Sequence, residues 1–282
     1  MKIVRIVGIS TFLLAIFQLS ACGDKPTELV KNDSIKENPL MQGLSDIEQE
    51  ELRKIIASIP IPFAIINKVS GSGLPYKKEL LNPDSNVPNY NTAEGQAVNI
   101  GVYGADMAYI IAFERLGESG PYLKSVRQLA DAVVIPTIFD EKSLQKYQAQ
   151  SNKQDSLQKL MYKSYTKIDS TLQSNERFGL AALVVMGGWI ESLYLTTQQL
   201  NNEPKSDKNS LLYDMLDEQQ MHTDNVVSML SMFPNDSLFL DLHAQISELK
   251  KLSSPAKEYT PEELAKVTAQ LAAIRTKLVS IE

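Results

Sequence analysis

Two carboxylates stand where an apolar chain rarely tolerates them. Asp106 lies in the run Gly95-Gln96-Ala97-Val98-Asn99-Ile100-Gly101-Val102-Tyr103-Gly104-Ala105-Asp106-Met107-Ala108-Tyr109. Glu191 ends an uncharged stretch from Leu180 to Ile190. An acid in such surroundings is costly unless it is paired or hydrogen-bonded. Asn99, Tyr103 and Asp106 are spaced four and three apart, so they form one polar line on a helix, and Tyr194 follows Glu191 by three. If the acids face each other, with Tyr103, Tyr109 or Tyr194 nearby, the pair binds a divalent metal or shares a proton for acid–base work. If a Tyr, Asn, Lys or Arg satisfies each of them, the pair only fixes helix register. Carboxylate-bridged metal bundles bring Glu-x-x-His pairs, and this chain has none. The structural reading is therefore preferred, with no catalytic residue, metal or cofactor assigned.

Other chemistry has thinner support. Asp214, Glu218 and His222 are four apart and form a possible three-ligand stripe. Leu211, Leu212 and Met215 lie beside them, so the stripe reads as the solvated edge of an amphipathic helix. His243, among Leu240, Leu242 and Ile246, reads as a partly buried core residue. Two histidines and no thiol beyond Cys22 exclude a zinc site of the three-His or Cys type. There is no G-x-S-x-G, and Gly71-Ser72-Gly73 is followed by no Gly-Lys-Ser/Thr. Lys and Arg number 28 against 34 Asp and Glu, for a net charge of −6. That balance argues against nucleic acid as a partner.

The single cysteine marks an address. Lys2 and Arg5 precede an apolar run from Ile6 to Leu19, too short to span a bilayer and suited to a signal-peptide core. It ends in Leu19-Ser20-Ala21-Cys22, which resembles a bacterial lipobox. Residues 1–21 are thus expected to be a lipoprotein signal peptide. Cys22 is the expected lipidation site and gives the protein its membrane partner. Residues 22–44 are polar and aperiodic and read as a tether. An exported domain without disulfides is held by its core alone.

The elements that must position the two acids are helices. Ser45-Asp46-Ile47-Glu48 is a capping box before apolar residues at helical spacing. Ile59-Pro60-Ile61-Pro62-Phe63 reads as an interior crossover if buried and as a partner-docking ridge if exposed, the first being preferred, and Phe63 to Val69 reads as a short helix. Asn82 to Asn91 reads as a loop. Thr92 to Leu116 is a long helix ended by Gly117, with Gly101, Gly104, Ala105 and Ala108 allowing close approach of a neighbour. Further helices are expected from Pro121 to about Val134, from Asp140, from Lys153, from Asn175 or Glu176 to Leu200, from Asn209 to Met232 and from Asp236 to Leu252. Thr260-Pro261-Glu262-Glu263 opens the last one. No segment alternates with hairpin turns. The expectation is an all-α fold: a single multi-helix domain of about eight to ten helices over residues 45–282, its core built from the helices carrying Val98–Phe113 and Phe178–Leu195.

Three stretches carry a resemblance: Ser70-Gly71 to Leu80-Leu81-Asn82-Pro83, Gly101-Val102-Tyr103-Gly104-Ala105-Asp106, and Gly187-Gly188-Trp189-Ile190-Glu191. Across most of Ile55 to about Leu200 the chain resembles a family of uncharacterised Bacteroidetes lipoproteins. That resemblance implies an exported, lipid-anchored helical protein and carries no activity and no site residue. The functional expectation is a lipid-anchored cell-envelope protein, at the outer membrane on its periplasmic or surface face, with a binding or interaction role toward a protein or small molecule. The alternative is a metal-binding or acid–base enzyme using Asp106 and Glu191.

Overall fold

A computed structural model describes residues 44–133, 145, 149, 153–174, 177–200, 203–253 and 259–281. The expected signal peptide, Cys22, the tether and the start of the helix expected from Asp140 lie outside them. Among the described residues there are nine α-helices and no strand: α1 (Asp46–Ser58), α2 (Pro62–Gly71), α3 (Ala93–Ala112), α4 (Ser119–Ala132), α5 (Gln154–Ser174), α6 (Phe178–Leu200), α7 (Ser210–Ser231), α8 (Ser237–Leu252) and α9 (Pro261–Leu278).

The caps follow from residue type. Ser45 accepts from the Glu48 N–H while Glu48 accepts from the Ser45 N–H, and Thr260 and Glu263 do the same at α9. Asp236 caps α8 through the Leu238 and Phe239 amides. The third helix ends four residues earlier than its apolar pattern suggests. Glu114 takes a left-handed conformation (φ 57°), the Arg115 N–H reaches the Ile110 carbonyl, and a 3-10 turn, Leu116–Glu118, follows. This is a Schellman closure with Glu in the position glycine usually fills. The Gln154 amide at the start of α5 donates to the carbonyls of Ile111 and Ala112 at the helix end, at 3.1 and 3.3 Å. The loop over Asn82 to Asn91 also tightens into a 3-10 helix, Asp84–Asn89.

Helices α3 and α6 form the centre and make the most extensive contact in the fold. Contacts advance in the same sense along both, from Val98 with Gly187, through Asp106 with Glu191, to Tyr109 with Gln199, so the two run parallel. Glycine permits the close approach. A Cβ on Gly101 would fall 2.1 Å from the Val184 carbonyl oxygen, and one on Gly187 2.2 Å from that of Val98. Gly104 does not share this role: a Cβ there meets nothing within 4 Å.

The remaining helices wrap this pair. Helix α2 lies against α3, α6 and α7; α4 and α5 cover α3; α9 lies against α6, α8 and α3. The Ile59–Phe63 segment is an interior crossover, with the Pro62 ring set against Gly188. Helix α6 is long and apolar enough to cross a membrane by composition, yet its residues are buried within the fold, as those of a core helix are. Its polar residues look after themselves: Ser192, Thr196 and Thr197 each donate to the carbonyl four residues back. Trp189 is fully buried, and its indole N–H donates to the Gln219 side chain on α7 at 3.0 Å.

Candidate functional site: a buried acid pair and the loop it holds

Asn99, Tyr103 and Asp106 all have zero exposure on the inward side of α3, and Glu191 has zero exposure on α6. The two acids are neighbours, close enough for the charge of Glu191 to act on Asp106. A third helix supplies the counter-charge. The Arg275 guanidinium, from the last turn of α9, reaches Glu191 in a fork: Nε to Oε2 at 3.1 Å and Nη2 to Oε1 at 3.3 Å. Bidentate pairs of this kind are the stronger carboxylate contacts. Arg275 also donates from Nη2 to the Leu80 carbonyl at 3.3 Å and lies over the Tyr194 ring, 4.9 Å from its centroid.

Around this core the chain from Leu80 to Tyr90 turns Leu81, Asn82, Val87 and Tyr90 inward and leaves its prolines exposed. The Asn82 N–H donates to Asp106 Oδ2 at 3.0 Å. The Asn82 amide nitrogen donates to the Tyr90 hydroxyl at 3.0 Å and more weakly to Asn99 Oδ1 at 3.5 Å. Asn99 in turn donates to the carbonyls of Gly95 and Leu278, at 2.9 and 3.1 Å, so it stitches the end of α9 to α3. Tyr103 donates to the Pro83 carbonyl at 2.8 Å. The 3-10 turn makes some of the loop's backbone bonds, and Asp106 and Tyr103 take up the Asn82 N–H and the Pro83 carbonyl.

Electrostatics distribute the charge unevenly. Burial pushes the Asp106 carboxyl well above the usual carboxylate range, and the neighbouring Glu191 charge pushes it further; Arg275 and the Asn82 amide oppose this. Burial also raises Glu191, but Arg275 opposes that rise directly, through both charge and hydrogen bonds. Burial works against the Arg275 charge, and Glu191 more than compensates, holding the guanidinium above its ordinary value. Burial raises Tyr103, with Tyr90 beside it adding to the effect, and burial likewise raises Tyr194.

Every residue of the expected polar cluster, Asn99, Tyr103, Asp106, Glu191 and Tyr194, therefore meets in one place. Tyr109 does not join it. Its hydroxyl accepts from the Lys77 N–H at 3.1 Å and from the Gln199 amide, farther along α3. Asn82, Tyr90 and Arg275 complete the cluster and were not singled out by spacing. The α7 stripe takes the other course. Asp214 pairs with Lys205 at 2.8 Å, Glu218 pairs with Lys68, and both acids are exposed. His222 is half-buried, its pKa lowered by burial. Among the described residues, no three His, Cys, Asp or Glu side chains converge as a metal would need. At the acid pair both Glu191 oxygens already receive the guanidinium, a cation standing where a metal would have to bind. A surface groove of about 700 Å³ opens between α7 and the end of α8, beside the exposed Met221 and the Lys250–Asp224 ion pair.

Comparison with models of known protein families, with curated proteins and with solved structures finds no match to this chain.

Proposed function

We propose that this protein is a lipid-anchored helical module of the cell envelope, with a binding or interaction role rather than a catalytic one. The observation that carries the anchor is the placement of the chain's one cysteine at the end of Leu19-Ser20-Ala21-Cys22, directly behind an apolar run and a short basic start. Acyl chains on Cys22, each buried CH₂ contributing about 0.8 kcal/mol, would hold the domain at a bilayer durably. The polar residues 22–44 would give it reach.

The internal site supports a non-catalytic role. A reacting acid must meet its substrate, and Asp106 and Glu191 have no exposed surface. Both Glu191 oxygens are engaged by Arg275 and Asp106 Oδ2 by the Asn82 N–H, groups that hold helices and loop together. A partner protein or small molecule would be met on the outer surface, where the α7–α8 groove offers an open concavity. The reading of the acids as a metal-binding or acid–base enzyme requires the core to open.

The test is fractionation of Cys22→Ser. The variant should move from the membrane to the soluble fraction while folding normally; persistent membrane association overturns the anchor. Elemental analysis of the purified domain decides the other half. A stoichiometric divalent metal, lost on Asp106→Asn, would establish the enzyme-like alternative.

A further inference from the structure

The acid pair presents an arithmetic problem that geometry alone poses. Two carboxylates, both with zero exposure, are neighbours in the core, and one guanidinium serves them. Asp106 Oδ2 accepts from the Asn82 N–H, but among the described residues Oδ1 has no donor. A buried oxygen that lacks a donor is expensive, and two neighbouring carboxylates repel. One proton resolves both difficulties.

We infer that Asp106 is a neutral carboxylic acid in the folded protein at neutral pH, donating its own proton to Glu191, so that the core keeps one bound proton as a structural part of the site. The order of groups is then Asn82 N–H to Asp106 Oδ2, Asp106 O–H to Glu191, and Glu191 to the Arg275 fork. Every donor has an acceptor, and the buried charge is one negative against one positive. The groups facing the pair are consistent with this. Tyr103 and Asn99 approach from α3, Tyr90 and Asn82 from the loop, Tyr122 from α4, Tyr194 from α6 and Arg275 from α9; Arg275 is the one cation among them. The Asp106 carboxyl is shifted in the direction this assignment needs, and burial is the main cause. The bound proton also ties the inward loop to the helices. Losing it sets two negative charges against one guanidinium in a sealed core, so the loop clamp fails on the alkaline side.

Infrared spectroscopy of the folded protein in heavy water reads this directly, because a protonated carboxyl has a carbonyl stretch that ionised carboxylates lack. At a slightly alkaline pH, where exposed acids are ionised, the wild type should show such a band. The half-buried Asp169 is a second possible source, since burial raises its carboxyl too, so assignment rests on variants. Asp106→Asn should fold, offer an amide N–H to Glu191 in place of the carboxyl O–H, and lose the Asp106 band. Asp169→Asn should leave that band in place. The inference is overturned if no protonated-carboxyl band is present, or if the band survives Asp106→Asn. If Asp106→Asn fails to fold, selective isotope labelling of aspartate carboxyls in the Asp169→Asn protein provides the second reading: a protonated aspartate band there supports the inference, and its absence overturns it.

Discussion

Two acid-bearing stretches look alike in spacing and end in opposite circumstances. Asp214, Glu218 and His222 recur every four residues on α7; Asn99, Tyr103 and Asp106 recur at four and three on α3. The first set lies at a solvated edge and borrows lysines from α2 and from the chain before α7. The second set is sealed, and three separate segments are bent to serve it. The difference lies in the residues between the acids. On α7 the intervening faces alternate apolar and charged. On α3 they are glycine, alanine and large aliphatics on every side, so every face of the helix is covered. A polar line inside such a helix has no route to water and must find protein partners.

Removing the positive partner should separate the two regions most sharply. Arg275→Met leaves Glu191 as an uncompensated buried charge and should cost about 3–5 kcal/mol in denaturant unfolding. Lys68→Met, which removes the partner of Glu218 at the exposed stripe, should cost less than about 1 kcal/mol. Equal losses would erase the distinction. Gly101→Ala attacks the dryness of the core by pushing α3 from α6 and should cost about 1–3 kcal/mol. Gly104→Ala, one turn on and facing open space, should be neutral or gain up to about 1 kcal/mol, readable in the same melts.

The pH dependence should also differ in sign. Folding raises the Asp106 pKa, so the folded state binds a proton that the unfolded chain releases above about 4. The Asp106 contribution is full below that point and is lost as pH rises toward the folded value. His222 is lowered, chiefly by burial, while Glu218 and a bond to the Ser58 backbone oppose this. Its contribution is present above the ordinary histidine range and is lost as pH falls through the lowered value. Thermal melts of Asp106→Asn should flatten the alkaline decline, and those of His222→Gln should flatten the smaller acidic one.

The acids themselves were legible because a charge in an apolar helix demands an explanation, whatever the fold. Their partners were not. Arg275 stands in the last turn of α9 near Lys277, where cations suit a helix C-terminus, so nothing local marks it as a buried ligand. Asn82 stands between Leu81 and Pro83 in what reads as an ordinary loop. Periodicity assigns a face to each helix but does not say which distant residue meets it. The same limit explains Gly104, which reads with Gly101 as a contact glycine although nothing lies within 4 Å of the Cβ it lacks. It also explains the early end of α3, where tertiary capping by Gln154 and a left-handed Glu114 stop a run whose apolar pattern continues.

The central claim is that the interior acids serve the fold through one another and through Arg275. A double-mutant cycle on Glu191→Leu and Arg275→Met, followed by denaturant unfolding at neutral pH, measures that dependence directly. Each single change should strand a buried charge, whereas the double change removes both charges and should lose less than the summed single losses, by about 2–3 kcal/mol. Strictly additive losses would mean that Glu191 and Arg275 do not depend on each other, and would contradict the account.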